Sequence, residues 1–249
     1  PNGETLSHFD YEYDKLGKIR RAESHLGIWE YTYDLDGRLV DANLAPTLDD
    51  MPPKRYTFEY DGDGNRLSQN RDGNEFGYQS NSLDQYTRAG NAQVSYDDAG
   101  RLSFFARGLE ELHFEYALNG SLSAVHGSHP LTLEYGVAGD LQTVSNGEDI
   151  HRFVQDPFNF RQVVLHQMND QPARRCHHLD LLRACEVNGH EQDDSMPRML
   201  YYTYDLLGHV SEVTDETGRV LNRYGYGPFG DLFHREETVE NPFTFLGGH

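Results

Sequence analysis

The side chains best equipped for chemistry lie late in the chain. Cys176, His177, His178, Cys185 and His190 bring thiols and imidazoles, the usual zinc ligands, within fifteen residues. Structural zinc sites take their ligands as two close couples. The spacing here does not supply two such couples, so these five residues are weak candidates and no metal is expected. A second reading is a Cys176–Cys185 disulfide closing the loop, provided that the chain reaches an oxidising compartment. Of the 13 histidines, His113, His126, His129, His151, His166 and His234 are scattered, with neither a nucleophile partner nor helical pairing. A His–Tyr acid–base pair of the kind that polysaccharide lyases use could sit on a tyrosine-rich sheet, but no spacing selects one. No Gly-rich phosphate loop, nucleophile elbow or zinc-protease motif occurs. The chain therefore reads as a non-enzyme, with no catalytic residue and no cofactor.

Composition narrows the partners. The chain has 249 residues, 21 Lys and Arg against 41 Asp and Glu, and a formal net charge of −20. Such a surface repels phosphate backbones and anionic lipid, so neither nucleic acid nor membrane is an expected partner. The plainest role of the acidity is to keep a large surface soluble. Hydrophobic residues make up 37%, with 16 Tyr and 13 Phe supplying much of the apolar area. Two cysteines make no disulfide framework, and no apolar run approaches the roughly 18 residues of a membrane helix. The start, Pro1-Asn2-Gly3-Glu4, is polar, without an initiator Met or a signal-peptide pattern. It reads as the start of a fragment or a processed product.

What positions these residues is a repeat. Tyr-Asp, two free positions, Gly, a polar residue and an aliphatic recur as Tyr13-Asp14…Gly17-Lys18-Ile19, Tyr33-Asp34…Gly37-Arg38-Leu39, Tyr96-Asp97…Gly100-Arg101-Leu102 and Tyr204-Asp205…Gly208-His209-Val210. Tyr60-Asp61…Gly64-Asn65-Arg66-Leu67 follows the same form with one extra polar residue. Copies at Tyr116…Gly120, Tyr135…Gly139 and Tyr226…Gly230 keep the spacing but lose the Asp, and worn copies stand at Phe76–Leu83 and Thr214–Val220. Residues before the motif alternate aromatic and polar, as in Trp29, Tyr31 and Tyr33 or Tyr56, Phe58 and Tyr60. Period two means a strand with one apolar face. The Asp carboxylate is suited to accept backbone N–H groups two or three residues on. The Gly supplies the positive φ of a type I turn with a following bulge. Each unit is therefore a β-hairpin, and hairpins must pair with neighbours to be stable. The expectation is an all-β array over residues 1–249, a curled antiparallel sheet forming part of a hollow shell. From about Met168 to Met199 a polar insertion interrupts it, read as exposed, with Leu179 to Ala184 as a short helical turn.

These motifs resemble the YD-repeat, or Rhs-repeat, family, found in bacterial polymorphic toxins, the C components of insecticidal toxin complexes and teneurin-type adhesion proteins. Tyr224-Gly225-Tyr226-Gly227-Pro228-Phe229-Gly230 and Asn241-Pro242-Phe243-Thr244-Phe245-Leu246-Gly247 resemble the segments near the end of Rhs cores. The resemblance implies hairpins spiralling into a hollow β-shell that encloses a C-terminal toxic domain. It also implies a secreted or exported effector of interbacterial competition. The implied partners are the chain's own toxin domain, the remaining shell repeats and components of a secretion system. The sequence stops before the segment that plugs and cuts such shells, and Asp156-Pro157 lies in a strand-like context far from that place, so no autoproteolytic residue carries over. The alternatives are a teneurin-like extracellular adhesion or glycan-binding array and, further off, a polysaccharide-acting enzyme.

Overall fold

The computed structural model describes residues 8–156, 159–169, 171–179, 181–187, 199–241 and 243–244. They form strands joined by turns, with no helix among the described residues. The first strands are β1 (Phe9–Tyr13), β2 (Ile19–Ser24), β3 (Gly27–Tyr33), β4 (Leu39–Pro46), β5 (Lys54–Tyr60), β6 (Arg66–Arg71), β7 (Asn74–Ser80), β8 (Tyr86–Ala89), β9 (Ala92–Tyr96), β10 (Leu102–Arg107) and β11 (Glu110–Tyr116). They are followed by β12 (Leu122–Gly127), β13 (Leu131–Tyr135), β14 (Leu141–Ser145), β15 (Ile150–Asp156), β16 (Asn159–Met168), β17 (Gln171–Leu179) and β18 (Leu181–Val187). The last four are β19 (Met199–Tyr204), β20 (Val210–Thr214), β21 (Val220–Tyr226) and β22 (Leu232–Glu237). Strand pairs within each unit run antiparallel, as in β1–β2, β3–β4 and β21–β22. The all-β hairpin array expected from the repeat is the fold class observed. The chain divides into two compact units, one of residues 8–115 and 125–129, the other of residues 116–124 and 130 onward.

In the first unit the apolar face follows the alternation of the sequence. Along β3, Gly27 and Trp29 are buried while Glu30 and Thr32 face solvent. Trp29 packs on Tyr56 with ring centroids 5.9 Å apart, and Tyr56 stacks on Phe58. Cross-strand neighbours Ala42 and Leu44 complete this cluster. Guanidinium groups extend it. Arg71 lies 5.5 Å from the Tyr56 ring centre and Arg66 lies 5.0 Å from that of Phe58, so aromatic faces are covered by cations whose stems are apolar.

The second unit gains a second layer. Its core gathers Cys176, Cys185, Leu200, Tyr202, Val210, Val213, Leu221, Tyr224 and Phe243. Every residue of β20 is buried, including Ser211, Glu212 and Thr214, because the chain after β22 folds back over it. Thr244 accepts from Val210 N at 2.8 Å, and Leu221 accepts from Thr238 N at 3.2 Å. Two buried asparagines hold that returning segment. Asn222 donates to Tyr224 Oη and to Val239 O, both at 2.9 Å, and accepts from Thr238 N and Val239 N. Asn241 donates to Phe243 O at 2.7 Å and to Tyr224 Oη at 3.2 Å, and accepts from Tyr202 Oη. Burying amide groups is tolerable only when their bonds are made, and these are. Glu212, fully buried, is met by Arg223 Nε at 3.2 Å.

The structure corrects the reading of the polar stretch after Met168. Leu179 ends β17 and Leu181–Ala184 lie in β18, so no helical turn forms there. Cys176, Ala184 and Cys185 are buried rather than exposed. Alternation explains this: Arg174 and Cys176 point inward while Arg175 and His177 are exposed, the period of a strand. The stretch lacks the turn motif, yet the ladder runs on from β16 through β17 and β18 to β19.

Close backbone approach fixes Gly27 and Gly127 in the first unit. Gly27 opens β3 at φ +143°, and a Cβ there would meet the carbonyl oxygen of Ala45 and lie 2.7 Å from Pro46 Cα. Gly27→Ala is expected to destabilise the protein by about 2 kcal/mol, read as a lower midpoint in denaturant with an unchanged m-value.

Candidate functional site

The feature that recurs with constant geometry is the turn and what it docks onto. In the first copy Asp14 N donates to Lys18 O at 2.8 Å and Gly17 N donates to Asp14 O at 3.1 Å. Asp34–Arg38, Asp61–Asn65, Asp97–Arg101, Asp205–His209 and Asp215–Arg219 repeat both bonds. Gly17, Gly37, Gly64, Gly100 and Gly208 all have φ between +76° and +94°, as a type I turn closed by a bulge requires. The register shift falls at the tyrosine each time, setting Tyr13 opposite Ile19, Tyr33 opposite Leu39 and Tyr204 opposite Val210.

The carboxylate reaches farther than expected. Asp14 Oδ1 accepts from the amides of Leu16 and Lys18, two and four residues on. Asp61, Asp97 and Asp205 do the same. The second oxygen of Asp34 and of Asp97 takes the Nε of Arg38 and Arg101 at 2.7 Å. The Arg38 amide, then its guanidinium, hold the Asp34 carboxyl below the usual carboxylate range, and the Arg101 guanidinium does so for Asp97. The Tyr204 copy differs because it is enclosed. There burial pushes the Asp205 carboxyl up and the His209 imidazole down.

The tyrosine joins one hairpin to the one before it. Tyr33 Oη donates to Ile19 O at 2.8 Å, Tyr60 Oη to Leu39 O at 2.8 Å, and Tyr96 Oη to Tyr86 O at 3.0 Å. Between hairpins the backbone ladder stops short of the turns, with last pairs Arg21–Glu30, Asp41–Thr57 and Arg88–Gln93. Each accepting carbonyl lies two residues beyond that last pair, where the strands have diverged, and the phenol spans the gap. The residues after Gly17 and Gly37 cover the ring. Lys18 Nζ lies 5.1 Å from the Tyr33 ring centre and Arg38 lies 5.2 Å from that of Tyr60. The same two cations donate onward, Lys18 to Gly37 O and Arg38 to Asp61 O. Burial raises the Tyr33 and Tyr60 phenols above their ordinary range, so they remain donors.

Sequence reasoning found the tyrosines, aspartates and glycines but not the cations that bridge them, whose signal was the basic residue after the glycine. It also misplaced the third copy. Tyr60 pairs with Arg66, not Leu67, so no extra residue exists; Arg66 takes the aliphatic position and Leu67 turns outward, 49% exposed. The worn copy near Leu83 uses Asn81 for the aspartate and Asp84, at φ +58°, for the glycine. Tyr86 there replaces the missing tyrosine, its hydroxyl accepting from Arg66 N at 2.8 Å. In the copies at Tyr135 and Tyr226 the turn charge is transposed. Gly136 and Gly227 take the aspartate position, and Asp140 and Asp231 fill the space that a side chain there would need.

The metal candidates do not converge. Cys176 and Cys185 oppose each other directly across β17 and β18, His177 is exposed, and His178 bonds Val163 O at 2.7 Å through Nε2. His190 lies outside the described residues. Among the described residues no group of three or more His, Cys, Asp or Glu is placed to hold a metal ion. His151 Nδ1 and His166 Nε2 lie 2.9 Å apart, a pairing that spacing did not reveal.

A tandem array in which each hairpin is docked on its predecessor by a Tyr-Asp turn is the architecture of YD-repeat proteins. Residues 11–248 match the Teneurin YD-shell family, and the chain belongs to it. It is 24% identical to Teneurin-1 of Homo sapiens and 26% identical to Teneurin-1 of Mus musculus, each over 96% of this chain but 9% of the relative's length. In fold it is similar to the crystal structure of TcdB2-TccC3 without its hypervariable C-terminal region. The TM-score is 0.50 and the identity 13%, covering 96% of this chain and 16% of that one.

Four substitutions test the turn. Tyr60→Phe, which leaves Leu39 O without its donor, is expected to cost about 1 kcal/mol. Tyr13→Phe, at a half-exposed ring, should cost less in the same chemical denaturation series. Gly136→Asp sets a second carboxylate against Asp140 and should destabilise by about 1 kcal/mol. Adding Asp140→Lys should restore the thermal midpoint by rebuilding the ordinary turn pair.

Proposed function

We propose that this chain is a wall segment of a β-shell, and that the shell encloses the C-terminal toxic domain of an Rhs-type bacterial protein. The observation that carries the structural half is the tyrosine dock. It repeats from hairpin to hairpin, so its work is assembly, and a sheet extended by repetition suits a wall. The enclosing half rests on the resemblance to Rhs cores in the segments Tyr224–Gly230 and Asn241–Gly247. On this reading the protein is exported, its partners are further repeats and its own cargo domain, and it performs no catalysis.

A teneurin-like extracellular array for adhesion or glycan binding is the second reading, favoured by the match to teneurins over 96% of the chain. One experiment addresses both. The protein, expressed with the sequence its gene encodes on either side, is imaged by electron microscopy, and any downstream domain is also expressed alone. A closed hollow particle, with a downstream domain that is toxic when freed, supports the toxin shell. A hollow particle that binds cell surfaces or glycans and carries no toxic domain supports the adhesion reading. A filled core without a cavity overturns both.

A further inference from the structure

The hairpin β17–β18 has no Asp…Gly turn to set its register. Leu179 pairs with Leu181, and the sequence between Cys176 and Cys185 holds no glycine. A hairpin without a specifying turn depends on side-chain pairs to avoid slipping by a residue, which would reverse its faces. The pair that sits at its centre is Cys176 opposite Cys185, flanked by Arg175–Glu186 and His177–Ala184. Both thiols are free and buried, at 6% and 0% exposure, and their sulfurs lie 2.9 Å apart. Directly opposed residues in antiparallel strands have Cα atoms about 4.5–5.5 Å apart, inside the range that a disulfide spans. Such a bond therefore needs no backbone movement. These are also the chain's only two cysteines, so neither has another intrachain partner.

We propose that Cys176 and Cys185 are the two ends of an intrachain disulfide that staples β17 to β18 when the protein matures in an oxidising compartment. The chemistry is two successive exchanges with a small disulfide such as oxidised glutathione. One cysteine, as thiolate, displaces a glutathione thiolate to give the mixed disulfide. The second attacks the protein sulfur of that bond, forming Cys176–Cys185 and releasing the second glutathione. Two protein thiols are oxidised, one glutathione disulfide is reduced to two thiols, and the protons pass to solvent. Because the pair is enclosed by Tyr202, Leu200 and Val213 in the core, exchange takes place during folding, before the core closes. Once closed, the bond is shielded from external thiols. In a reducing cell the same residues remain a buried thiol pair, with the Cys176 thiol pushed up by its bond to Cys185 and by burial.

The test compares the full chain made in an oxidising secretory compartment with the same chain made in a reducing cytoplasm. Each sample is checked for β-sheet circular dichroism, alkylated under denaturing but non-reducing conditions, and digested for mass spectrometry. The expected result is a Cys176–Cys185 linked peptide, two hydrogens lighter than its parts, in the secreted material only. That sample should also have a thermal midpoint higher by several degrees, lost on reduction with dithiothreitol and lost in C176S/C185S. Folded secreted protein with both cysteines alkylated, or with each capped by glutathione, overturns the proposal. So does a linked peptide whose reduction leaves the midpoint unchanged, because the bond would then staple nothing. Should C176S/C185S fail to fold, the oxidised and reduced wild-type samples still decide the matter.

Discussion

The structure depends on a backbone problem at the turn side of each hairpin. A bulge next to a tight turn increases local twist, and two such hairpins laid side by side diverge where they turn. Carbonyls there pass beyond the reach of the next strand's amides. The phenol of the following repeat supplies the missing donor, as Tyr33 does for Ile19 and Tyr60 does for Leu39. Phenylalanine would fill the same wedge but leave the carbonyl unpaired, at the cost of a buried acceptor without a partner. That is a physical reason for the tyrosine of the motif. The aspartate and glycine make the bulge, and after Gly17 and Gly37 a cation covers the ring.

Much of this was legible in the sequence because it is local. Asp14 and Gly17 define their turn by chemistry that needs no tertiary context, and the alternation around Trp29 and Tyr56 sets which face is buried. The failures have an equally physical cause. Arg66 fills the aliphatic position, which its hydropathy hides, because its guanidinium group lies over the rings of Phe58 and Tyr78. Asp84 sits at positive φ in place of glycine, which short polar side chains tolerate but which no spacing rule anticipates. The helical turn at Leu179 to Ala184 came from local composition, and strand pairing with the neighbours outweighed it. Asn222 and Asn241 carried no local signal. Their value comes from a segment that returns from more than fifteen residues away to take up their hydrogen bonds.

The two units solve the same packing problem differently. In the first, aromatic rings are roofed by the guanidinium groups of Arg66 and Arg71, which are themselves part-buried. In the second, the returning chain and Phe243 close over β20, and polar groups that would be solvated elsewhere have to be paired internally. The perturbed acid–base behaviour of Asp205 and His209 belongs to that enclosure. The same turn that holds a part-buried ion pair at Asp34–Arg38 sets Asp205 against a buried His209, with identical backbone bonds.

The tyrosine dock also has a direction. In each case the hydroxyl belongs to the later hairpin and the carbonyl to the earlier one, whether the pair is Tyr33 and Ile19 or Tyr96 and Tyr86. A ribosome delivers the acceptor before the donor, so every new hairpin emerges facing a template that is already complete. The tyrosine docks can therefore be laid down course by course as the chain is synthesised, and the onward bonds of Lys18 and Arg38 close when the next turn arrives.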